Sequence, residues 1–176
     1  MAGVTHRAVA RRAGVSLSAT SYYFGSGAQL ERAAIETHYA ARIADYAAIT
    51  DALTESSASP AEIADAVAEL LTSSGLDLVL AHFEVYLNAA RRADLREIVA
   101  PVLAAMRQLA EAVASTIGID DAAGFATAAI AIIEGVELRR LAEGIDGRDE
   151  MAASLRLLAA GALALQDAWP DDAGGR

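Results

Sequence analysis

The sequence has no cysteine and no lysine, and it is poor in proline and aromatic residues, with three prolines and 5% Phe, Trp and Tyr among 176 residues. The absence of cysteine excludes disulfides, thiolate metal sites and cysteine nucleophiles, and with them several classes of enzyme. The longest uncharged apolar run, residues 122–133, is well short of the roughly 20 residues that a helix needs to cross a bilayer. We therefore expect a cytoplasmic protein with no membrane-spanning helix, no secretory signal and no membrane association.

The residues that are abundant favour helices. Alanine makes up 44 of the 176 residues, and 55% of all residues are hydrophobic. Apolar residues recur at three- and four-residue steps, and Ser59, Pro60 and Glu62 have the spacing of a capping box at a helix start. The pattern predicts an all-α fold in which two short helices precede six longer ones, over approximately residues 5–12, 16–23, 26–49, 59–72, 76–90, 94–117, 121–143 and 148–168.

Charge is divided unevenly along the chain. Residues 1–30 contain three arginines and no acidic residue, a formal charge of +3, whereas residues 31–176 contain 11 arginines and 24 acidic residues, a formal charge of −13. A basic end on an acidic body is the asymmetry expected when only that end binds a polyanion. A stretch of 30 residues can also lack acidic side chains by chance, so the pattern within it carries more weight than its charge.

The two short helices have the spacing of a helix-turn-helix. Thr5 and Ser16 stand at their N-cap positions, and Gly14 lies in the turn between them, where a positive φ is needed. In such a motif the second helix lies in the major groove and the first crosses the backbone. Thr5 and Arg7 are therefore candidates for phosphate contacts through a hydroxyl and a guanidinium.

Helical spacing also divides the second short helix into two faces. Thr20 and Phe24 are predicted to point inward together with Val15. An ordinary helical hairpin is the alternative interpretation, but it gives no reason for two adjacent tyrosines in so short a helix. The outward face, which would meet the bases, is predicted to contain Leu17, Ser18, Ser21 and Tyr22.

Residues 4–30 resemble the DNA-binding signature of the tetracycline-repressor (TetR) family of transcriptional regulators. Matching positions include Thr5, Arg7, Gly14, Ser16 and Tyr23. The resemblance implies a homodimer, most often a repressor, that binds double-stranded, pseudo-palindromic operator DNA and is released by a small-molecule inducer. The residues predicted to bind DNA are Thr5, Arg7, Ser16, Leu17, Ser18, Ser21, Tyr22 and Tyr23.

The same resemblance implies a division into domains. Residues 1–32 would form the helix-turn-helix domain, residues 33–169 a ligand-binding and dimerisation domain, and residues 170–176 a disordered tail. Ser21 and Gly27 depart from the family pattern, which has tyrosine and lysine there, and a family helix of about 15 to 20 residues before Thr5 is missing. The alternative is therefore a helical, dimeric ligand-binding protein that does not bind DNA.

The last two predicted helices are apolar on more than one face. Residues 122–133 are apolar nearly all round, and a helix of that kind must be covered on more than one side. A second subunit is the expected cover, through a four-helix packing about a two-fold axis, although burial within one subunit is the alternative. The predicted interface residues are Ile132, Val136, Leu155, Leu158, Ala162 and Leu165.

Polar and aromatic residues on otherwise apolar helices are candidates for a ligand pocket, because such pockets are mostly apolar with a few polar groups. The three histidines are scattered along the sequence, and no metal-binding, phosphate-binding or nucleophile motif is present, so we expect neither an enzyme nor a cofactor or metal. The candidate pocket residues for the inducer, whose identity the sequence leaves open, are Tyr46, His82, Phe83, Tyr86, Met106 and Phe125.

Overall fold

A computed structural model describes residues 5–54 and 58–168, and in this part of the chain every regular element is a helix. The predicted all-α fold, with two short helices before six longer ones, is confirmed. The predicted tail at residues 170–176 lies outside the described residues. The helices are α1 (His6–Ala13), α2 (Leu17–Tyr23), α3 (Gly27–Thr54), α4 (Pro60–Thr72), α5 (Leu76–Ala89), α6 (Ala93–Thr116), α7 (Ala122–Glu143) and α8 (Arg148–Ala168).

The start of α4 shows how closely local sequence determines an element. The Ser59 Oγ accepts a hydrogen bond from the Glu62 amide at 3.3 Å, and the Ser59 amide donates to Glu62 Oε2 at 2.8 Å. Both halves of the predicted capping box are present, with Pro60 in the first turn. The hydrogen bonds from Ser59 hold the pKa of the Glu62 carboxyl below its usual value.

The chain divides into two compact units, which we call unit 1 (residues 1–44 and 81–102) and unit 2 (residues 45–80 and 103–176). In unit 1, α1 packs on α2, and the turn between α5 and α6 is held against α3. Arg92 lies 3.6 Å from the Glu31 carboxylate, and Arg32 donates to the Asp94 carbonyl at 3.4 Å. These two contacts fix the turn beside the first part of α3.

Unit 2 has an alanine-rich core in which α8 packs against both α4 and α7. Ala68, Ala114 and Met151 have no exposed surface, and Phe125 and Leu155 are also buried there. Small side chains on three helices let the backbones approach closely, so high alanine content produces a packed core here.

A buried ion pair lies in unit 2. Arg140 is 4% exposed and donates two hydrogen bonds to Glu137, at 2.7 and 2.9 Å, along the same helix. It also donates to the carbonyl of Thr72 at 2.9 Å and of Ser74 at 3.4 Å. Arg140 thus supplies partners for carbonyls that the end of α4 would otherwise leave unpaired.

One helix in the described ranges, α6, is long and apolar enough by length and composition to cross a bilayer, with a mean hydropathy of 1.3 over its most apolar stretch. This is weak evidence for a membrane helix, since helices of soluble proteins pass the same test. Leu95, Val99 and Val102 of α6 are buried within the protein, as expected of an amphipathic helix that covers a core.

Candidate DNA-binding and ligand-binding sites

The turn between α1 and α2 is built as the sequence predicts. Thr5 Oγ1 accepts from the Ala8 amide at 3.2 Å, which caps the start of α1. Gly14 ends α1 with φ of 68°, a left-handed conformation that costs glycine little, and the next amide returns to the Ala10 carbonyl at 3.0 Å. The chain therefore reverses within three residues and starts α2 at Ser16.

The helix α2 is capped at its N-terminus and held against α1 from its middle. Ser16 Oγ accepts from the Ala19 amide at 3.1 Å and lies 2.9 Å from the Ser18 hydroxyl. Thr20 is 5% exposed, and its hydroxyl donates to the carbonyl of Leu17 at 2.9 Å and, more weakly, to that of His6 at 3.5 Å. Thr20 therefore points toward α1, as predicted, and fixes the orientation of α2 against α1.

The outward face of α2 is apolar and aromatic as well as polar. Tyr22 and Tyr23 are 84% and 76% exposed, and their rings pack edge to face with centroids 5.3 Å apart. Val15, which we predicted to be inward, is 48% exposed because it lies in the turn and no described side chain covers it. The predicted DNA-binding residues are all exposed: Thr5, Arg7, Ser16, Leu17, Ser18, Ser21, Tyr22 and Tyr23.

Unit 1 also contains a cluster of rings, which we call the histidine cluster: His38, Tyr39, His82, Phe83 and Tyr86. His82 is at its centre, with ring centroids 4.2 Å from Tyr86, 5.8 Å from Phe83 and 6.1 Å from Tyr39. Three of the six predicted pocket residues are therefore neighbours. His38 and Arg42, one turn apart on α3, add nitrogen donors to this cluster, and both are half-buried.

The histidine cluster holds its rings in the neutral form. Burial, together with the positive charge of Arg42 and the nearby His38, lowers the pKa of His82 to about 4. Burial and Arg42 also lower the pKa of His38. A neutral imidazole can donate from one nitrogen and accept at the other, so the cluster can present both kinds of polar group to a ligand among aromatic rings.

The shifted pKa of His82 predicts a pH dependence of stability. Between pH 6.5 and about 4 the unfolded chain binds a proton at this histidine and the folded chain does not, so the free energy of unfolding falls as the pH falls. The loss reaches on the order of 3 kcal/mol at most. His82→Phe should remove this part of the pH dependence, measured by urea unfolding at several pH values; a His82→Phe curve parallel to the wild-type curve would contradict it.

The remaining predicted pocket residues belong to unit 2. Tyr46 and Phe125 are buried, and Met106 is half-buried on α6. Phe125 is part of the core and lines a cavity of ≈ 50 Å³ between α4, α6, α7 and α8. A space of that size is far below the roughly 300 to 1,000 Å³ of small-molecule sites. This cavity is therefore too small for such a ligand, whereas Phe125, a core residue, also lines the larger groove described next.

A much larger groove, which we call the α7–α8 groove, lies on the surface of unit 2. It has a volume of ≈ 1110 Å³ and a mostly apolar lining. Leu157 and Leu165 in its wall are 75% and 62% exposed. Gly161 has no side chain and Ala162 has only a methyl group, so another helix can approach the groove closely at these two positions. The lining includes four of the predicted interface residues, Ile132, Leu158, Ala162 and Leu165.

The other two predicted interface residues, Val136 and Leu155, are instead 6% and 7% exposed in the core of a single chain. Helical periodicity identifies apolar residues, but it does not show which of them pack in the core and which remain on the surface. Leu157, the most exposed leucine in the described chain, also lines the groove and was not among the predicted interface residues. Its position two residues from Leu155 places it outside the predicted stripe.

The described chain is an all-α protein with an N-terminal helix-turn-helix and a helical body. Residues 58–165 match the family model described as "Tetracyclin repressor-like, C-terminal domain". Because this match covers more than half of the sequence, the chain belongs to the TetR family of transcriptional regulators. No curated protein and no solved structure matches the chain.

Proposed function

We propose that this TetR-family protein is a cytoplasmic homodimeric repressor that binds operator DNA through α1 and α2 and leaves it when a small molecule binds. The observation that carries the proposal is the exposed outer face of α2, a helix of seven residues that presents two tyrosines to solvent. Its serine hydroxyls and two tyrosines offer hydrogen bonds and ring faces to base edges and sugars. The second helix of a helix-turn-helix is the one that lies in the major groove.

Phosphate contacts would position this helix. Arg7, Arg11 and Arg12 are exposed, and their side chains make no ion pair or hydrogen bond with any described residue. Arg7 follows Thr5 at the start of α1, where both can reach a phosphate oxygen. Guanidinium groups without an intramolecular partner bind phosphate with no ion pair to break.

The histidine cluster is the ligand site that the side chains favour. It lies in unit 1, the same compact unit as the helix-turn-helix. A molecule that separates the rings of Tyr39, His82 and Tyr86 would shift α3 against α5, and only three residues separate the end of α2 from the start of α3. Inducer binding would thereby move the recognition helix away from its position for DNA.

The α7–α8 groove is the surface that favours a second copy of the chain. Its exposed leucines, Leu157 and Leu165, would be covered if a second copy of the chain packed against the groove. A two-fold axis would bring the same groove of two chains together and place two helix-turn-helix units on one pseudo-palindromic operator.

The experiment that tests the proposal selects preferred sequences from random duplex DNA and then titrates binding with salt. Operator binding should weaken steeply as salt rises, because released counterions drive it. Arg7→Ala should weaken binding to all sequences about equally and reduce the salt slope by about 2, one phosphate from each subunit. Tyr22→Ala should change the preferred sequence, because a base contact is removed.

The matched control is Arg148→Ala, which removes an exposed arginine of unit 2 that pairs with Glu69. It should leave both the slope and the preferred sequence unchanged. If the wild-type chain recovers no sequence and shows no salt-dependent binding, the DNA-binding role is wrong, and a dimeric ligand-binding protein is the remaining function.

A further inference from the structure

The arginines of the two units differ in whether they already have partners. In unit 2, each arginine that the structure describes donates a hydrogen bond or forms an ion pair through its side chain: Arg107, Arg139, Arg140, Arg148 and Arg156. Five arginines in the described chain are exposed and have no such partner, and all five lie in unit 1: Arg7, Arg11, Arg12, Arg91 and Arg96.

Two of these five lie far from the helix-turn-helix in sequence. Arg91 is in the turn between α5 and α6, and Arg96 is in the first turns of α6. Arg92, which lies between them in sequence, instead forms ion pairs with Glu31 and, at 2.8 Å, with Asp94. The chain therefore neutralises the acidic groups of this turn with Arg92 and leaves Arg91 and Arg96 in solvent.

Contacts within unit 1 place this turn beside the start of α3. Arg92 binds Glu31, which lies four residues after Gly27, the first residue of α3. Four residues of helix span about 6 Å. The start of α3 follows α2 after only three residues, so the turn is held near the end of the helix that would read the major groove.

Charge over the whole of unit 1 is consistent with a polyanionic partner. Its two segments contain eight arginines and five carboxylates, a formal +3, whereas unit 2 contains six arginines and 19 carboxylates, a formal −13. Residues 81–102 contain three arginines and three carboxylates, a formal charge of zero, so the net positive charge of unit 1 comes from residues 1–30. The carboxylates of unit 2 are repelled by the phosphates of DNA, and exposed arginines of unit 1 that have no intramolecular partner offset this repulsion.

We propose that Arg91 and Arg96 form a second phosphate-binding surface, which contacts the DNA backbone flanking the segment read by α2. This inference rests on the proposed DNA-binding function and extends it to a part of the chain outside the helix-turn-helix. The contacts are made to phosphate and not to bases, so they add affinity without sequence preference. Glu97, an exposed carboxylate beside Arg96, reduces the positive charge of this surface.

The test compares salt titrations on random-sequence duplex of about 40 base pairs, close to four helical turns. The variant is Arg91→Ala with Arg96→Ala, and the control is Arg107→Ala with Arg148→Ala, which makes the same change in net charge on unit 2. Removing four phosphate contacts from a dimer should reduce the salt slope by about 3 to 4. The control should keep the wild-type slope, and both variants should keep the wild-type helical circular dichroism.

A second variant tests the surface in the opposite direction. Glu97→Gln removes the carboxylate beside Arg96, so it should strengthen binding to the same duplex at low salt, and the gain should disappear when Arg91 and Arg96 are alanine. The relative preference for the selected operator should not change in either variant. If wild-type protein binds DNA normally and the double variant keeps its slope, the second surface is refuted while the proposed function stands. If wild-type protein does not bind DNA, both fail.

Discussion

Replacing Arg140 by leucine should lower the free energy of unfolding by about 3 to 5 kcal/mol, the cost of leaving one member of a buried ion pair without the other. Glu137 is 9% exposed, and both hydrogen bonds that Arg140 donates to it would be lost. The carbonyls of Thr72 and Ser74 would lose a donor as well. Urea unfolding at fixed protein concentration measures the difference.

The double variant Glu137→Leu with Arg140→Leu is the informative comparison. It removes the unpaired carboxylate along with the guanidinium, so it should recover much of the lost stability, since apolar pairs often replace buried ion pairs without loss. Arg148→Leu, which breaks the exposed pair with Glu69, should cost less than about 1 kcal/mol. If Arg140→Leu costs no more than Arg148→Leu, Arg140 does not hold α7 to the end of α4.

This buried pair shows where sequence reasoning stops. Glu137 and Arg140 are three residues apart on a helix, a spacing that is typical of pairs on a solvated surface. Nothing in the local sequence shows that the end of α4 covers them, because the carbonyls of Thr72 and Ser74 are more than 60 residues away. Burial that depends on distant segments cannot be derived from periodicity.

The starts of the helices and the turn between α1 and α2 could be predicted, because they are determined by neighbouring residues. Ser59 and Glu62 form their capping box, and Gly14 adopts the left-handed turn, through contacts within a few residues. The helix α3 was predicted to end near residue 49 but continues to Thr54, since no glycine or proline marks its end. Local signals thus predict where helices start better than where an unmarked helix stops.

The candidate sites were predicted in part. His82, Phe83 and Tyr86 contact one another because they lie close together on one helix, whereas only the fold brings His38 and Arg42 of α3 to them. Arg91 and Arg96 were not proposed as DNA contacts from the sequence because residues 81–102 are neutral overall, and a charge count does not show which arginines lack an intramolecular partner. The family itself was found from residues 4–30, and the family model matches a different part, residues 58–165. Two segments that do not overlap therefore indicate the same family.

Replacing Leu157 by aspartate should convert the proposed dimer to monomers, with a dimer dissociation constant raised by a factor of at least about 1,000, or roughly 4 kcal/mol. Leu157 lies in the wall of the α7–α8 groove and is 75% exposed in the single chain, so the change should not disturb the core. At a two-fold interface the substitution places two carboxylates in one apolar contact, where each loses hydration and gains no partner.

The matched control is Leu87→Asp. Leu87 is similarly exposed, at 68%, but it lies on α5 in unit 1, whereas the groove belongs to unit 2. Analytical ultracentrifugation should give a dimer for the wild type and for Leu87→Asp, and a monomer for Leu157→Asp with unchanged helical content. The monomer should also bind a two-half-site operator much more weakly than the dimer. In a dimer, binding of one helix-turn-helix holds the second close to its half-site, and a monomer lacks this effect. If Leu157→Asp sediments as the wild type does, the groove is not the interface, and its exposed leucines require another partner.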